Sequence, residues 1–453
     1  MMKTIILFLI GFSFCLTAQQ SHSEIAIQLK NKGLEELSAF EMLKDLTSSV
    51  GNRLSGSKNY EKAVVWGKQM LQKAGADSVW LEPVMIPNWV RGVEKASLML
   101  ANKKKIELSI CALGGSVGTS AKGIRADVIE VKSFEEVKQL GEKGKGKIIF
   151  YNRHFDRTNA TPFQAYGGAV DQRTNGAIEA AKVGAVAVLV RSITPALDDE
   201  PHTGAMHYAD SIPKIPAVAI STVDAEVLSN ELKQHNVSSV NIVLTCQTYP
   251  DVPSYNVVGE IKGSEHPEEI VLVGGHLDSW DKGTGAHDDG SGVVHSIEVI
   301  RLIKSLNLKP KRTIRAVLYA NEENGLKGGQ AYAADEKNKN EKQIAAIESD
   351  AGGTSPRGFG VNTDSVRFEK INSYSPLLAI VNAEKIRKGG GGADISTLEQ
   401  FGTALIGLNP DPQRYFDYHH SNNDTIDKVH PRELEMGAIA MAILAWAISQ
   451  DGL

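Results

Sequence analysis

The chain has 453 residues, a length that at roughly 150 residues per domain allows about three structural units. Hydrophobic residues make up 42% and charged residues 23%, which supplies an ordinary core and excludes a disordered chain. The 49 Lys and Arg nearly balance the 54 Asp and Glu, and a formal charge of -5 gives no electrostatic ground for nucleic acid or an anionic membrane as the main partner.

Residues 1–18 have the outline of a cleavable export signal. Lys3 supplies the positive start, Ile5 to Leu16 form an apolar run too short to anchor in a bilayer, and Ala18 is a small residue at the cleavage point. No other apolar stretch is long enough for a membrane span, so a secreted or periplasmic location is expected. Export leaves two cysteines, Cys111 and Cys246, which are not spaced as a metal clip or redox motif. They would either pair or stay as buried thiols.

Residues 19–112 read as a helical start followed by the first part of a catalytic domain. Helical spacing of apolar residues predicts helices over Asn31–Lys44 and Tyr60–Ala74, separated by the Gly/Ser-rich element Gly51–Ser57. Short strands follow at Ala96–Leu100, Ile106–Ile110 and Ala126–Glu130. Residues 113–249 then have their own α/β rhythm. Strands are expected at Lys147–Tyr151, Gly184–Val190 and Ile215–Ile220, and helices at Gly176–Val183 and Val223–Lys233. The order of these pieces resembles the protease-associated domain, a module inserted into several exopeptidases.

From residue 250 to 453, strands and helices alternate as in a mostly parallel sheet flanked by helices. Polar residues stand just past the carboxyl ends of the predicted strands, where an open α/β sheet places its site. His276 and Asp278 follow one strand, Glu322 and Glu323 the next, and Asp350 a third. Asp288 and Asp289 open a helix, and His419 and His420 come late in the chain. Each piece alone is commonplace. Carboxylates gathered at one edge repel unless cations neutralise them, and an oxygen-rich set with imidazoles suits two divalent metals, Zn2+ first. The loop from Asp198 to His207 reads as solvated, although it could reach the site. Gly389–Asp394 lacks the Lys-Ser/Thr of a phosphate loop, and Ser291 lacks the first Gly of a nucleophile elbow.

The combined order of His, Asp, Glu-Glu, Asp and His, with the Gly51–Ser57 element and the inserted region, resembles the co-catalytic dizinc exopeptidases over nearly the whole mature chain. That resemblance implies two Zn2+ per chain, one on His276 and Asp350 and the other on Glu323 and His420, with Asp288 bridging. It implies Glu322 as general base for a metal-bridging water and a cis bond between Asp288 and Asp289. Asp278 would accept the other ring proton of His276, and His419 would be either an oxyanion donor or a packed histidine. It further implies hydrolysis of dipeptides or short peptides with a free amino terminus, and a homodimer. Residues from Gln19 to about Phe40 would be a removable propeptide or the first helix of the enzyme. The competing readings are a broader aminopeptidase, a binding protein that lost catalysis, and a single-zinc glutaminyl cyclase; an intact ligand set with Glu322 argues against the last two.

Overall fold

The apolar runs of the second half have no polar face because the sheet they build is covered on both sides. The computed structural model describes residues 22–453, so the expected export signal lies outside the described residues. Eight strands form the main sheet: β1 (Ser78–Val90), β2 (Gln247–Ile261), β3 (His266–His276), β4 (Arg312–Tyr319), β5 (Lys342–Glu348), β6 (Pro356–Asn362), β7 (Lys385–Lys388) and β8 (Ala404–Pro410). Their order is β1-β2-β4-β3-β5-β8-β6-β7. The pairs β4/β3, β3/β5, β5/β8 and β6/β7 are parallel, and β1/β2, β2/β4 and β8/β6 antiparallel.

Alternation along the strands divides the core. Val271 and Val273 face the helices α1 (Lys58–Lys73), α2 (Ser291–Ser305) and α3 (Pro431–Asp451), while Leu272 faces Tyr332, Ile395 and Leu398 on the opposite layer. Helices α2 and α3 are buried nearly all round, which explains their apolar composition. No described helix is long and apolar enough to cross a membrane. Ser57 caps α1 by accepting from the Tyr60 N–H at 3.1 Å.

Two expectations change here. The helix predicted over Asn31–Lys44 is broken: the chain is helical over 22–36, takes a left-handed turn at Leu37 (φ 50°), and starts again as Ser38–Asp45. Restarting exposes the Ala39 N–H, which donates to Glu435 Oε2 of α3 at 3.0 Å, so a tertiary partner satisfies the break. The first helical stretch buries Ala26 and Leu29 in the main core. The second change is the length of β1, thirteen residues that include Pro83 and Pro87. Proline hides a strand from sequence reading, but β1 is an edge strand, where a missing N–H costs no ladder bond.

The chain leaves the main sheet at Val90 and returns opposite it at Gln247. Between these points lie two smaller sheets. One is antiparallel, in the order Lys105–Leu108, Glu94–Leu100, Val237–Leu244, Ile124–Ala126. The other runs Ile110–Ala112, Ala217–Ile220, Ala187–Arg191, Ile148–Tyr151, Val128–Val131, with all but its first contact parallel. The runs expected at Ile106–Ile110 and Ala126–Glu130 each divide between the two sheets. Cys111 and Cys246 are both buried and free.

Candidate metal centre

The parallel trio β4-β3-β5 brings three strand ends to one edge. His276 ends β3 opposite Tyr319 of β4, and Gly274 pairs with Glu348 of β5, two residues before Asp350. After β4 the chain turns through Asn321 (φ 60°), and the two glutamates that follow separate. Glu323 turns inward and its Oε1 accepts from the Trp280 N–H at 3.1 Å; Glu322 is half-buried and lines an open cleft.

Two clusters meet at Asp288. His276 Nε2 lies 3.2 Å from Asp288 Oδ1 and 3.4 Å from Asp350 Oδ1. His420 Nε2 lies 3.2 Å from Asp288 Oδ2 and 3.2 Å from Glu323 Oε2. His419 Nε2 approaches the same Asp288 Oδ2 at 3.6 Å, so His276, Asp288 and Asp350 form one candidate metal group and Asp288, His419 and His420 another. The structure thus gathers all five expected ligands, with His419 beside them.

The outer nitrogens explain why both rings can ligate. His276 Nδ1–H donates to the Asp278 carbonyl at 3.1 Å, and His420 Nδ1–H to the Thr203 carbonyl at 3.3 Å. Each hydrogen bond fixes the tautomer that leaves Nε2 bare, facing carboxylate oxygens. The expected role of Asp278 changes in detail. Its carboxylate stands 3.7 Å from His276 Nδ1 and is spent instead on the Glu322 N–H (3.0 Å) and the Ser55 hydroxyl (3.0 Å). It therefore orients the glutamate turn, and its carbonyl orients the histidine.

Three buried residues that sequence reading left without a role hold the loops. Asp424 accepts from the His287 N–H at 2.7 Å and the Asp288 N–H at 3.0 Å. Asp289, joined to Asp288 by a cis peptide bond, accepts from the His276 N–H at 3.0 Å and the Gly292 N–H at 2.8 Å. Arg53, from the Gly51–Ser57 element, is fully buried and donates to the carbonyls of Leu277 (2.6 Å), Thr284 (2.7 Å) and Gly285 (3.0 Å). It clamps the segment after β3 to the loop before Asp288.

Charge in this region is unbalanced without a cation. Burial, then the neighbouring Asp350, Glu323 and Asp278, push the Glu322 carboxyl well above the usual range, against the pull of His276. Burial alone would discharge His276, but Asp350 and Asp288 overcome it and hold the ring well above the ordinary imidazole value. Asp288 Oδ2 is buried and accepts no hydrogen bond. Bare Nε2 atoms, an orphaned bridging oxygen and mutually repelling carboxylates fit two divalent ions, and fit Zn2+ by donor type.

The other candidates divide clearly. His419 stacks on His420 (ring centroids 3.5 Å apart) amid Tyr166, Tyr415 and Phe416; burial and then His420 hold it well below the usual imidazole value. His287 is structural: Nδ1 accepts from the Gly353 N–H at 3.1 Å while Nε2 meets the Lys428 carbonyl at 3.3 Å. Ser291 spends its hydroxyl on the His287 carbonyl at 2.7 Å. The loop read as solvated is not. His202 is buried and its Nδ1–H donates to the His419 carbonyl at 2.7 Å, and the Thr203 N–H donates to the His420 carbonyl at 2.9 Å. Gly392 serves packing, since a Cβ there would sit 2.0 Å from the buried Glu348 carboxyl.

The cleft over the two clusters encloses about 540 Å3 and is walled on one side by Tyr166, Arg173 and Met206 from between the main-sheet strands β1 and β2. The sequence profile of peptidase family M28 matches residues 256–446. The chain is 39% identical to carboxypeptidase Q of Bos taurus, over 93% of its own length and 88% of that protein, and 40% identical to carboxypeptidase Q of Homo sapiens with the same coverage. A solved structure of a peptidase M28 precursor from Shewanella amazonensis, 35% identical, superposes with a TM-score of 0.91 over 96% of this chain and 98% of that one. A zinc aminopeptidase from Bacillus subtilis, 21% identical, shares the fold with a TM-score of 0.67 over 92% of this chain and 95% of its own. With identity at this level running through nearly its whole length, the chain belongs to peptidase family M28, the co-catalytic zinc exopeptidases, and is a zinc-dependent metallopeptidase.

Proposed function

We propose that the chain is an exported exopeptidase that hydrolyses dipeptides or short peptides with a free amino terminus, using two zinc ions. His276 and Asp350 would hold one ion, Glu323 and His420 the other, and Asp288 would serve both. Bound there, zinc lowers the pKa of water from 15.7 toward about 7 and polarises the scissile carbonyl. The remaining work belongs to side chains of this chain. Glu322, whose raised carboxyl affinity for protons suits a base that must also give the proton back, takes it from the attacking water and passes it to the leaving amine. His419, held below the usual imidazole value by burial, offers a ring N–H toward the developing oxyanion, a contact worth roughly 3 kcal/mol in comparable sites.

The observation that carries this reading is the different setting of the two adjacent glutamates. Both line the cleft, but Glu323 is buried beside His420 and held by the Trp280 N–H, while Glu322 is half-buried and is in neither candidate metal group. The apolar run after Lys3 supports export, and carboxypeptidase Q as a relative supports an exopeptidase. The test is to assay free dipeptides, N-acetyl dipeptides and longer peptides while counting zinc per chain. Hydrolysis of free dipeptides at two zinc per chain is expected. Preference for N-acetyl substrates, or full activity at one zinc, would overturn the scheme.

A further inference from the structure

The loop from His276 to Asp288 carries one large side chain that the two-metal chemistry does not use. Trp280 is 2% exposed, and its indole belongs not to the main core but to the cluster formed by Leu98, Ala112, Val218 and Ile242 of the two smaller sheets. Gly114 leaves the space that the ring fills, since a Cβ there would stand 1.8 Å from Cη2 and 2.3 Å from Cζ3. Ion pairs flank the inserted ring. Asp281 receives Arg91 Nε at 2.7 Å, and Lys282 pairs with Glu94. Three successive residues of a main-sheet loop are therefore held by the segment between β1 and β2.

Trp280 also touches both proposed ligands of one ion. Its main-chain N–H donates to Glu323 Oε1 at 3.1 Å, and its ring meets the His420 ring at a 64° tilt with centroids 5.8 Å apart. Glu323 follows β4 and His420 comes late in the chain, so no single element aligns the two. The other bonds that hold His420 come from the same segment, through the carbonyl and the N–H of Thr203. His276 and Asp350 are placed differently. They lie at the ends of the paired strands β3 and β5, and the Asp278 carbonyl and Asp289 carboxylate orient His276. One position is built by strand ends, the other by an anchor in a neighbouring core.

We propose that Trp280 is a positioning residue for the ion between Glu323 and His420, and that the seating of the segment between β1 and β2 sets the affinity of that position and not of the other. The proposal rests on the two-zinc reading above and goes beyond it by making the two positions unequal. Groups that hold a metal's ligands without touching the metal change its affinity by about 10- to 100-fold. Linkage makes the effect reciprocal: an ion at that position also tightens the seating of the segment.

The test titrates zinc into the metal-free full chain by chelator competition and locates each ion by anomalous diffraction at the zinc edge. Trp280→Phe removes ring volume but no hydrogen bond, because the buried Nε1 has no partner among the described residues. It should weaken the ion at Glu323 and His420 by about 10- to 100-fold and leave the other unchanged. Gly114→Ala, made on the far side of the contact, should have the same selective effect by displacing the indole. The double variant should lose less than the sum of the two, since the smaller ring makes room for the added methyl. Equal weakening of both ions overturns the proposal. So does a lower Tm of the zinc-free protein with both affinities kept, which would leave Trp280 as packing alone. A wild type that binds one zinc sinks the two-zinc reading instead. In that case a loss of about tenfold in that ion's affinity in Trp280→Phe still upholds the role of Trp280, and equal affinities end it.

Discussion

Two of the groups of buried carboxylates among the described residues differ in what stands ready to relieve their charge. At the strand ends, Asp288, Glu323 and Asp350 face the bare nitrogens of His276 and His420 and a place for cations. In the helix layer, Glu298 of α2 meets Glu435 of α3, with Arg301 donating from Nε to Glu298 at 2.7 Å. Burial, then Glu298, pushes the Glu435 carboxyl up to about 9, so at neutral pH it keeps its proton and accepts the Ala39 N–H. Desolvation is answered by a proton at Glu435, whereas the strand-end group presents donors that fit a divalent cation. A carboxyl held by a proton cannot bind a cation, and only the first group sits at an open cleft.

The contrast can be tested from its strongest consequence downward. Glu322→Gln removes the carboxyl proposed as the base and leaves the proposed metal ligands in place. We expect kcat to fall by about 10^2- to 10^4-fold with two zinc per chain retained by elemental analysis, and an active variant would reassign the base. Chelation should come next in size. Stripping ions that bind the folded state at 1,000 times Kd removes about 4 kcal/mol, read as a lower Tm that added zinc restores. Glu435→Gln should show the same chelator-induced drop as wild type, because its acid pair has no share in metal binding; a smaller drop would join the two groups.

Arg53→Met leaves three carbonyls without their charged donor, and we expect a loss of about 3 kcal/mol in urea unfolding of the zinc-free protein. An unchanged midpoint would mean that the strand-end loops hold their places without it. The smallest effect concerns pH. Glu435 binds its proton more tightly folded, near 9, than at the ordinary 4.5, so its stabilising contribution is whole below about 4.5 and is lost as pH rises through 9. Glu435→Gln should therefore gain on the order of 1 kcal/mol relative to wild type at pH 8 and nothing at pH 4.5, since Arg301 stands ready to support the ionised pair. Parallel pH profiles of stability for the two proteins would refute the shared-proton account.

How much of this was legible in the sequence depends on where each residue's partners lie. His276, Glu323 and Asp350 stand out because strand ends are apolar up to the last residue, so a polar side chain there announces itself, whereas Asp288 and His420, outside the strand ends, were reached through the resemblance to a family's ligand order. The main-sheet strands β3, β4, β5 and β8 were visible for the same reason. Arg53 was not legible as a clamp, because it bonds main-chain carbonyls more than 220 residues away and carbonyls leave no trace in a sequence. Leu37 as a helix break was hidden too: the acceptor that makes it tolerable, Glu435, is 396 residues from the Ala39 N–H it receives. The Asp198–His207 loop looked solvated by composition, yet its partners are the main chain of His419 and His420. β6 and β7 are short or glycine-rich and carry too little periodicity to be seen.

The bonds from His202 and Thr203 to the two late histidines have a consequence for modularity. One short loop between β1 and β2 both fixes the tautomer of the His420 ring and packs around Arg173 on the cleft wall. Exchanging that segment for a relative's would therefore also disturb the His420 ring, which faces Asp288 and Glu323. The wall of the cleft and the ring facing Asp288 and Glu323 are thus held by the same few residues.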